Sequence, residues 1–229
     1  MRPVLLVVSG ALLIALNLSG ASACMDATLA SYIGLGAGGC TIGTNTLDAF
    51  QIVSGTAGAT EISPADVAIH PSGGELDPEL TVSVDRAAAA NTLVELIFSY
   101  QIAGNQFSGS SITVSGSSET GDGAVSYVQN FCAGGVFDSA FNCSGLPGTL
   151  IAVDGVQNHD SATINPTNPL VQIDDFVLDG GLAGSAAGGT FTDRFSAVPE
   201  PFTFLLTGLG LALGIAIQSS RARSARSQR

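Results

Sequence analysis

From residue 47 to residue 195, apolar and polar positions mostly alternate with a period of two. β-branched and aromatic residues fill the alternating runs, and Gly, Asn, Asp and Pro separate them. Side chains on a strand point to opposite faces in turn, so this pattern predicts half-buried antiparallel strands. Nine strands are expected: Leu47 to Val53, Ala65 to His70, Leu80 to Val84, Leu93 to Ile102, Ser111 to Ser115, Val125 to Phe131, Thr149 to Val153, Leu170 to Leu178 and Thr190 to Phe195. Gly73-Gly74, Gly104-Asn105, Gly121-Asp122-Gly123 and Pro166 to Pro169 supply turns between them. The period changes only at Asp26 to Leu35, where Leu29, Tyr32 and Ile33 share one face of a short helix that Asp26 would cap. Nine short strands and one short helix predict an all-β antiparallel sandwich.

Both ends depart from alternation. Met1 and Arg2 precede an apolar stretch from Val4 to Leu16, and Ala21-Ser22-Ala23 closes the segment. A positive start, a short apolar core and a small-x-small site make a secretory signal, with cleavage by signal peptidase after Ala23. An uncut anchor and a lipoprotein signal acylated at Cys24 are the alternatives. At the other end, Phe202 to Ile217 is a second apolar run. As a helix it would measure about 24 Å, enough to span a bilayer core when extended through Gln218 and Ser219. Arg221, Arg223, Arg226 and Arg229 follow it with no acid. By the positive-inside rule that tail is cytoplasmic and the body lies outside. The expected organisation is a signal peptide (1–23), an exported domain (24–197) and a C-terminal segment (198–229).

Pro199-Glu200-Pro201, the apolar run and the arginine tail, in that order, resemble the PEP-CTERM sorting signal of exported bacterial proteins. The resemblance implies that exosortase, a membrane thiol enzyme, processes the chain near the tripeptide while it is in transit through the inner membrane. It also implies delivery to the cell surface or extracellular matrix. The two prolines fix φ and bar helix or sheet pairing, which would keep that element extended. A plain anchor with a proline-containing linker is the alternative. Cys24 to Phe50, with Gly39-Cys40-Thr41-Ile42-Gly43, is similar to the opening of a group of PEP-CTERM proteins of unassigned activity.

Charge narrows the partners. The 229 residues contain 19 acids, 7 arginines and no lysine, and residues 24 to 198 hold eighteen of those acids against Arg86 and Arg194, a net charge of −16. Such a body repels phosphate backbones, which excludes nucleic acid, and favours neutral or cation-bridged partners such as exopolysaccharide or other matrix components. Four cysteines, Cys24, Cys40, Cys132 and Cys143, imply two disulfides in an exported chain. Three pairings exist, and the shortest loops favour Cys24 with Cys40 and Cys132 with Cys143.

Catalytic signatures are sparse. The chain has no G-x-S-x-G or H-E-x-x-H pattern and no lysine for a nucleotide loop. Gly34, Gly36 and Gly39 spell G-x-G-x-x-G but follow a helical pattern, so they read as a flexible connection. His70 and His159 are the only neutral-pH bases, and both sit at predicted strand ends or loops. Asp174-Asp175 and Glu75 with Asp77 could be nominated as a carboxylate pair, but neighbours on a strand face opposite ways, so Asp174 and Asp175 would not share a cleft. Glu119 to Asp122 and Asp154 to Asp160 are acidic loops that could hold a structural calcium, without matching a known calcium-loop spacing. No cofactor is implied. The expected role is structural or interactive at the surface, without catalysis; a cation-assisted glycan-binding or adhesion module is the chief alternative, weakened by the lack of Trp and by eleven Phe that mostly follow strand or membrane patterns, and a secreted hydrolase built on His70 or His159 ranks behind it. Asn142-Cys143-Ser144 is formally a glycosylation acceptor.

Overall fold

The computed structural model describes residues 21–198. Residues 1–20 of the expected signal segment, Pro199-Glu200-Pro201, the apolar run and the four tail arginines lie outside the described residues. Among the described residues no helix is long and apolar enough to cross a membrane.

In chain order the elements are β1 (Ser22–Ala23), β2 (Ala27–Thr28), α1 (Leu29–Gly34), β3 (Cys40–Ile42), β4 (Asn45–Ile52), β5 (Thr60–Glu61), β6 (Val67–Ser72), β7 (Glu79–Val84), β8 (Ala87–Ala88), β9 (Leu93–Ala103), β10 (Gln106–Ser115), β11 (Ser118–Thr120), β12 (Ala124–Ala133), β13 (Leu146–Val153), β14 (His159–Thr167), β15 (Leu170–Asp179), β16 (Ser185–Ala187) and β17 (Thr190–Val198). They form two main sheets and a small third one. The larger sheet runs β1-β3-β4-β9-β15-β12-β13, with β5 pairing in parallel with the start of β9. The second runs β14-β10-β17-β7-β6-β2, and β11-β16-β8 make the third.

The sheets pack through their alternating apolar faces. Phe98, Tyr100, Tyr127 and Phe176 of the larger sheet meet Phe107, Phe191 and Phe195 of the second, all fully buried. Tyr127 and Phe191 rings lie 4.3 Å apart, and Phe176 stacks on Phe191 at 5.2 Å. These rings are the largest fully buried side chains, and their offset and edge contacts help fix how the sheets interdigitate. A bulge between Asp48 and Gln51, with Ala49 at φ 55°, turns Phe50 inward to stack on Tyr100 at 5.1 Å.

Four features differ from the sequence expectation. The helix starts later, at Leu29, and its cap is Thr28, whose Oγ1 accepts from the Ser31 N–H at 3.2 Å; Asp26 instead faces His70. Thr28 wins because Ala27 and Thr28 are already paired with β6. β10 begins at Gln106, five residues early, since Phe107 continues the inward register through Gly and Ser positions. β14 is an additional strand. It lies at a sheet edge with only exposed and intermediate positions, so its sequence shows no apolar stripe, and Pro166 is tolerated there. Finally, six two- and three-residue strands, too short to show a period, complete the sheets alongside β3.

The disulfides are Cys24–Cys40 and Cys132–Cys143. The first ties the chain before α1 to β3, spanning the connection made by Gly34, Gly36 and Gly39. The second closes the loop between β12 and β13.

Candidate functional site

Strand alternation puts half of each central strand on the outer face of the larger sheet. Register there places Ser99, Ile173, Asn130 and Thr149 in one row, and Ile97, Asp175, Val128 and Ile151 in the next. The 132–143 loop folds back over this face, because Cys132 is the outward residue of β12 to which it is tethered. Between loop and sheet lies a cleft of about 400 Å³, lined by Phe137, Phe141, Ile97, Asn130, Thr149 and Asp175 among others. A second cavity of about 220 Å³ adjoins it, with Gln51, Ser99 and Gln101 on its walls. Val53, Phe137, Phe141 and Ile173 line both, so the two are lobes of one groove with the phenylalanines between them.

The loop is held by more than its disulfide. Asp138 Oδ1 accepts the N–H groups of Ala140 (2.8 Å) and Asn142 (2.9 Å), and the Asn142 amide donates to Asp138 Oδ2 at 3.0 Å. These bonds, led by the Asn142 side chain, hold the Asp138 carboxyl below its ordinary range. Phe141 sits within this turn at φ 61°, a left-handed backbone that bulky residues rarely adopt. The residue is 56% exposed. Strain held in place by surrounding bonds, with an aromatic presented at a cleft, is a pattern found at binding sites.

Asp175 stands on the sheet wall of the cleft, half-buried, and its Oδ1 has no hydrogen-bond partner. Burial, reinforced by the nearby Glu95 carboxylate, raises it to about 6. Glu95 itself is spoken for: it accepts from the Thr56 N–H and from Thr56 Oγ1 at 2.8 Å. Asn130 Oδ1 accepts from Thr149 Oγ1 at 2.8 Å, which fixes the orientation of its amide.

The neighbouring residue, Asp174, points the other way. It is fully buried between the sheets beside Asp193 of β17, so these two carboxyls, nineteen residues apart in sequence, form the pair that the fold brings together. Tyr100 Oη donates to Asp193 Oδ2 at 2.6 Å, and Tyr127 Oη and Gln129 Nε2 (2.8 Å) donate to its Oδ1. Ser110 Oγ donates in turn to Gln129 Oε1 at 2.8 Å. Neither Asp174 oxygen has such a partner. Burial, then the Asp193 charge, pushes Asp174 well above the carboxylate range, and burial also raises Asp193. Two buried negative charges side by side are untenable without a cation. Asp193, with three donors, is the carboxylate, and Asp174 is the protonated partner. Both side chains are fully buried, so the pair belongs to the core.

Other nominated residues lie apart from the cleft. His70 and His159 are exposed; His70 Nδ1 is 3.3 Å from Asp26 Oδ2 and His159 Nδ1 is 3.1 Å from Thr113 Oγ1. Glu75 accepts from Thr44 Oγ1 at 3.1 Å, while Asp77 accepts from the Gly74 N–H and pairs with Arg194 at 3.2 Å, so the two serve a loop instead of facing each other. Asp122 accepts the N–H groups of Leu182 and Ala183, Asp154 that of Gly155, and Asp160 those of Ile151 and Ser161. Glu119 accepts from Ser117 Oγ at 2.8 Å. These carboxylates answer amide and hydroxyl donors, and among the described residues no group of three or more His, Cys, Asp or Glu side chains is placed to hold a metal ion. A larger, more open depression of about 570 Å³ on the outer face of the second sheet is walled by Ser, Thr, His159 and Arg194, without an aromatic.

Phe137, Phe141 and Asp138 were missed by sequence reasoning. A signal was present: both phenylalanines fall between Cys132 and Cys143 and outside every predicted strand, unlike the core phenylalanines other than Phe107.

No family model matches the sequence, and no curated protein matches it. Among solved structures the chain is similar to TmCBM61 in complex with beta-1,4-galactotriose, at a TM-score of 0.27 and 10% identity, over 56% of this chain and 81% of that one. A likeness this loose assigns neither a ligand nor a relationship.

Proposed function

We propose that this is an exported cell-surface or matrix protein whose body binds a glycan chain without catalysis, and that its C-terminal segment is an exosortase sorting signal. One observation carries the binding reading: a tethered loop presents Phe137 and Phe141 as the shared wall of two adjoining cavities. A groove of this form suits an elongated ligand with alternating apolar and hydroxyl surfaces, the chemistry of linked sugar rings. Aromatic faces supply contact area at low entropic cost, and the nearby Asn130, Thr149 and Asp175 offer hydrogen bonds. The two disulfides fit an oxidising, extracytoplasmic setting.

Electrophoresis of the purified full chain through gels containing soluble polysaccharides tests the binding reading. Retardation by at least one polysaccharide that is lost in Phe137→Ala/Phe141→Ala is the expected result, and unchanged migration in every gel overturns it. The sorting reading is tested by replacing Pro199, Glu200 and Pro201 with Ala, followed by fractionation and intact-mass measurement. The expected outcome is a full-length chain trapped in the inner membrane, and normal release of the mutant would refute it.

A further inference from the structure

Resting on the glycan reading of the groove, we infer that it selects uncharged sugar chains, with Asp175 as the residue that anchors them through their hydroxyl groups. The inference stands on what lines the groove and on what is missing from it among the described residues. Asp175 lines the wall of the larger lobe, and no donor among the described residues reaches its carboxylate; Oδ1 is closed off from solvent, so the oxygen open to a ligand is Oδ2. A sugar hydroxyl donating to it forms a charge-assisted hydrogen bond, stronger than a bond between neutral groups. Phe137 and Phe141 are then the apolar counterpart, taking the C–H face of the ring that Asp175 holds by its edge.

The acids around this oxygen come from several elements. Glu95 projects from β9 on the same face, diagonal to Asp175 across the strand pair, and Asp48 of β4 stands on that face opposite Gln101. Asp138 of the loop lines the smaller lobe. β12 and β13 contribute Val128, Asn130, Thr149 and Ile151 to these rows, none of them titratable. Among the described residues no positive group answers these acids. Arg86 and Arg194 are paired with Asp66 and Asp77, His70 faces Asp26 and His159 faces Thr113, and none of the four lines either lobe. A uronate, sulfate or phosphate entering the groove would meet negative potential from the sheet and the loop together. This is discrimination by repulsion, and it works against acidic polymers while leaving neutral ones untouched.

Titration calorimetry of the full chain with cello-, malto- and galacto-oligosaccharides, and with oligogalacturonate, tests this in chelator and again in excess calcium. The expected result is binding of at least one neutral oligosaccharide and none of oligogalacturonate in either condition. Asp175→Asn should weaken the neutral ligand by about tenfold or more, as loss of a bond to a charged acceptor does. Lowering the pH from 7.5 to 5 should weaken the wild-type protein toward the mutant's affinity, because Asp175 is then protonated, and should leave the mutant itself unchanged. Phe141→Ala should weaken binding at both pH values. Failure of all four ligands to bind removes the glycan reading itself. Neutral binding that responds to Phe141→Ala but not to Asp175→Asn overturns the anchoring role alone. Oligogalacturonate binding, with or without calcium, overturns the selection against charge.

Discussion

Asp174 and Asp175 are the same residue twice in succession, and the pleat of β15 sends them into opposite surroundings. Asp174 enters the fully buried interior between the sheets, where it holds its proton beside Asp193. Asp175 lines a cleft, and its carboxylate takes no hydrogen bond from the described residues. Sequence neighbours on a strand are thus far apart in chemistry, whereas Asp174 and Asp193 are neighbours only through sheet packing. The lesson is that a carboxylate's task follows from the face it occupies: inward, it must be matched by donors or neutralised; outward, its unmatched lone pairs are available to a ligand.

The sharpest way to break this comparison is to truncate one acid from each side. Asp193→Ala leaves Tyr100, Tyr127 and Gln129 without an acceptor in the core, and should cost about 3 to 5 kcal/mol. At about 2 to 4 °C per kcal/mol for a domain of this size, the melting midpoint should drop by roughly 6 to 20 °C. Asp175→Ala should stay within about 1 kcal/mol of wild type. Equal losses in thermal melts would mean that the two faces are not different in kind. Next in size is removal of the loop tether: Cys132→Ser/Cys143→Ser should cost about 2 to 4 kcal/mol and reduce glycan binding further than the stability loss explains, measured at a temperature where the variant is fully folded.

pH distinguishes the two acids without removing either. Both have folded values above the ordinary 3.8, so the folded state retains protons that the unfolded chain has released. Their contribution to stability is therefore fully present below about pH 4 and is lost as pH rises, by about pH 6 for Asp175 and continuing above that for Asp174. Denaturant titrations from pH 4 to 9 should show this decline. Asp174→Asn, which replaces a neutral acid by a neutral amide, should flatten the upper part of the curve and change stability at pH 5 by less than about 1 kcal/mol. The smallest effect expected is for Asp175→Asn, a flattening confined to the range from about pH 4 to 6.

Much of this architecture was legible in the sequence. Period-two alternation found β9, β12, β15 and β17 nearly to their ends, because each has one face in the core and one outside. The opposed directions of Asp174 and Asp175 followed from the same rule. β14 left no trace, since an edge strand without a buried stripe looks like a polar loop. Asp193 could not be matched to Asp174, Tyr100 and Tyr127, because that cluster spans two sheets and needs the topology. The groove was hidden for a related reason: Phe137 and Phe141 lie in a loop, where no periodicity announces which way a ring points, and only the bracketing cysteines hint that the loop is fixed.

β17 carries one more consequence. Its last residue, Val198, immediately precedes Pro199, and the strand lies between β10 and β7, antiparallel to both. If the protein is held at the surface through the chain beyond Val198, any drag on the body enters the fold along this strand. Its partners flank it from Val198 to Thr190 on one side and from Arg194 to Thr190 on the other, so the load falls in shear on many backbone bonds at once and cannot peel them singly. Pulled by that end, the domain should yield at much higher force than when pulled across β14, an edge strand that could be unzipped rung by rung.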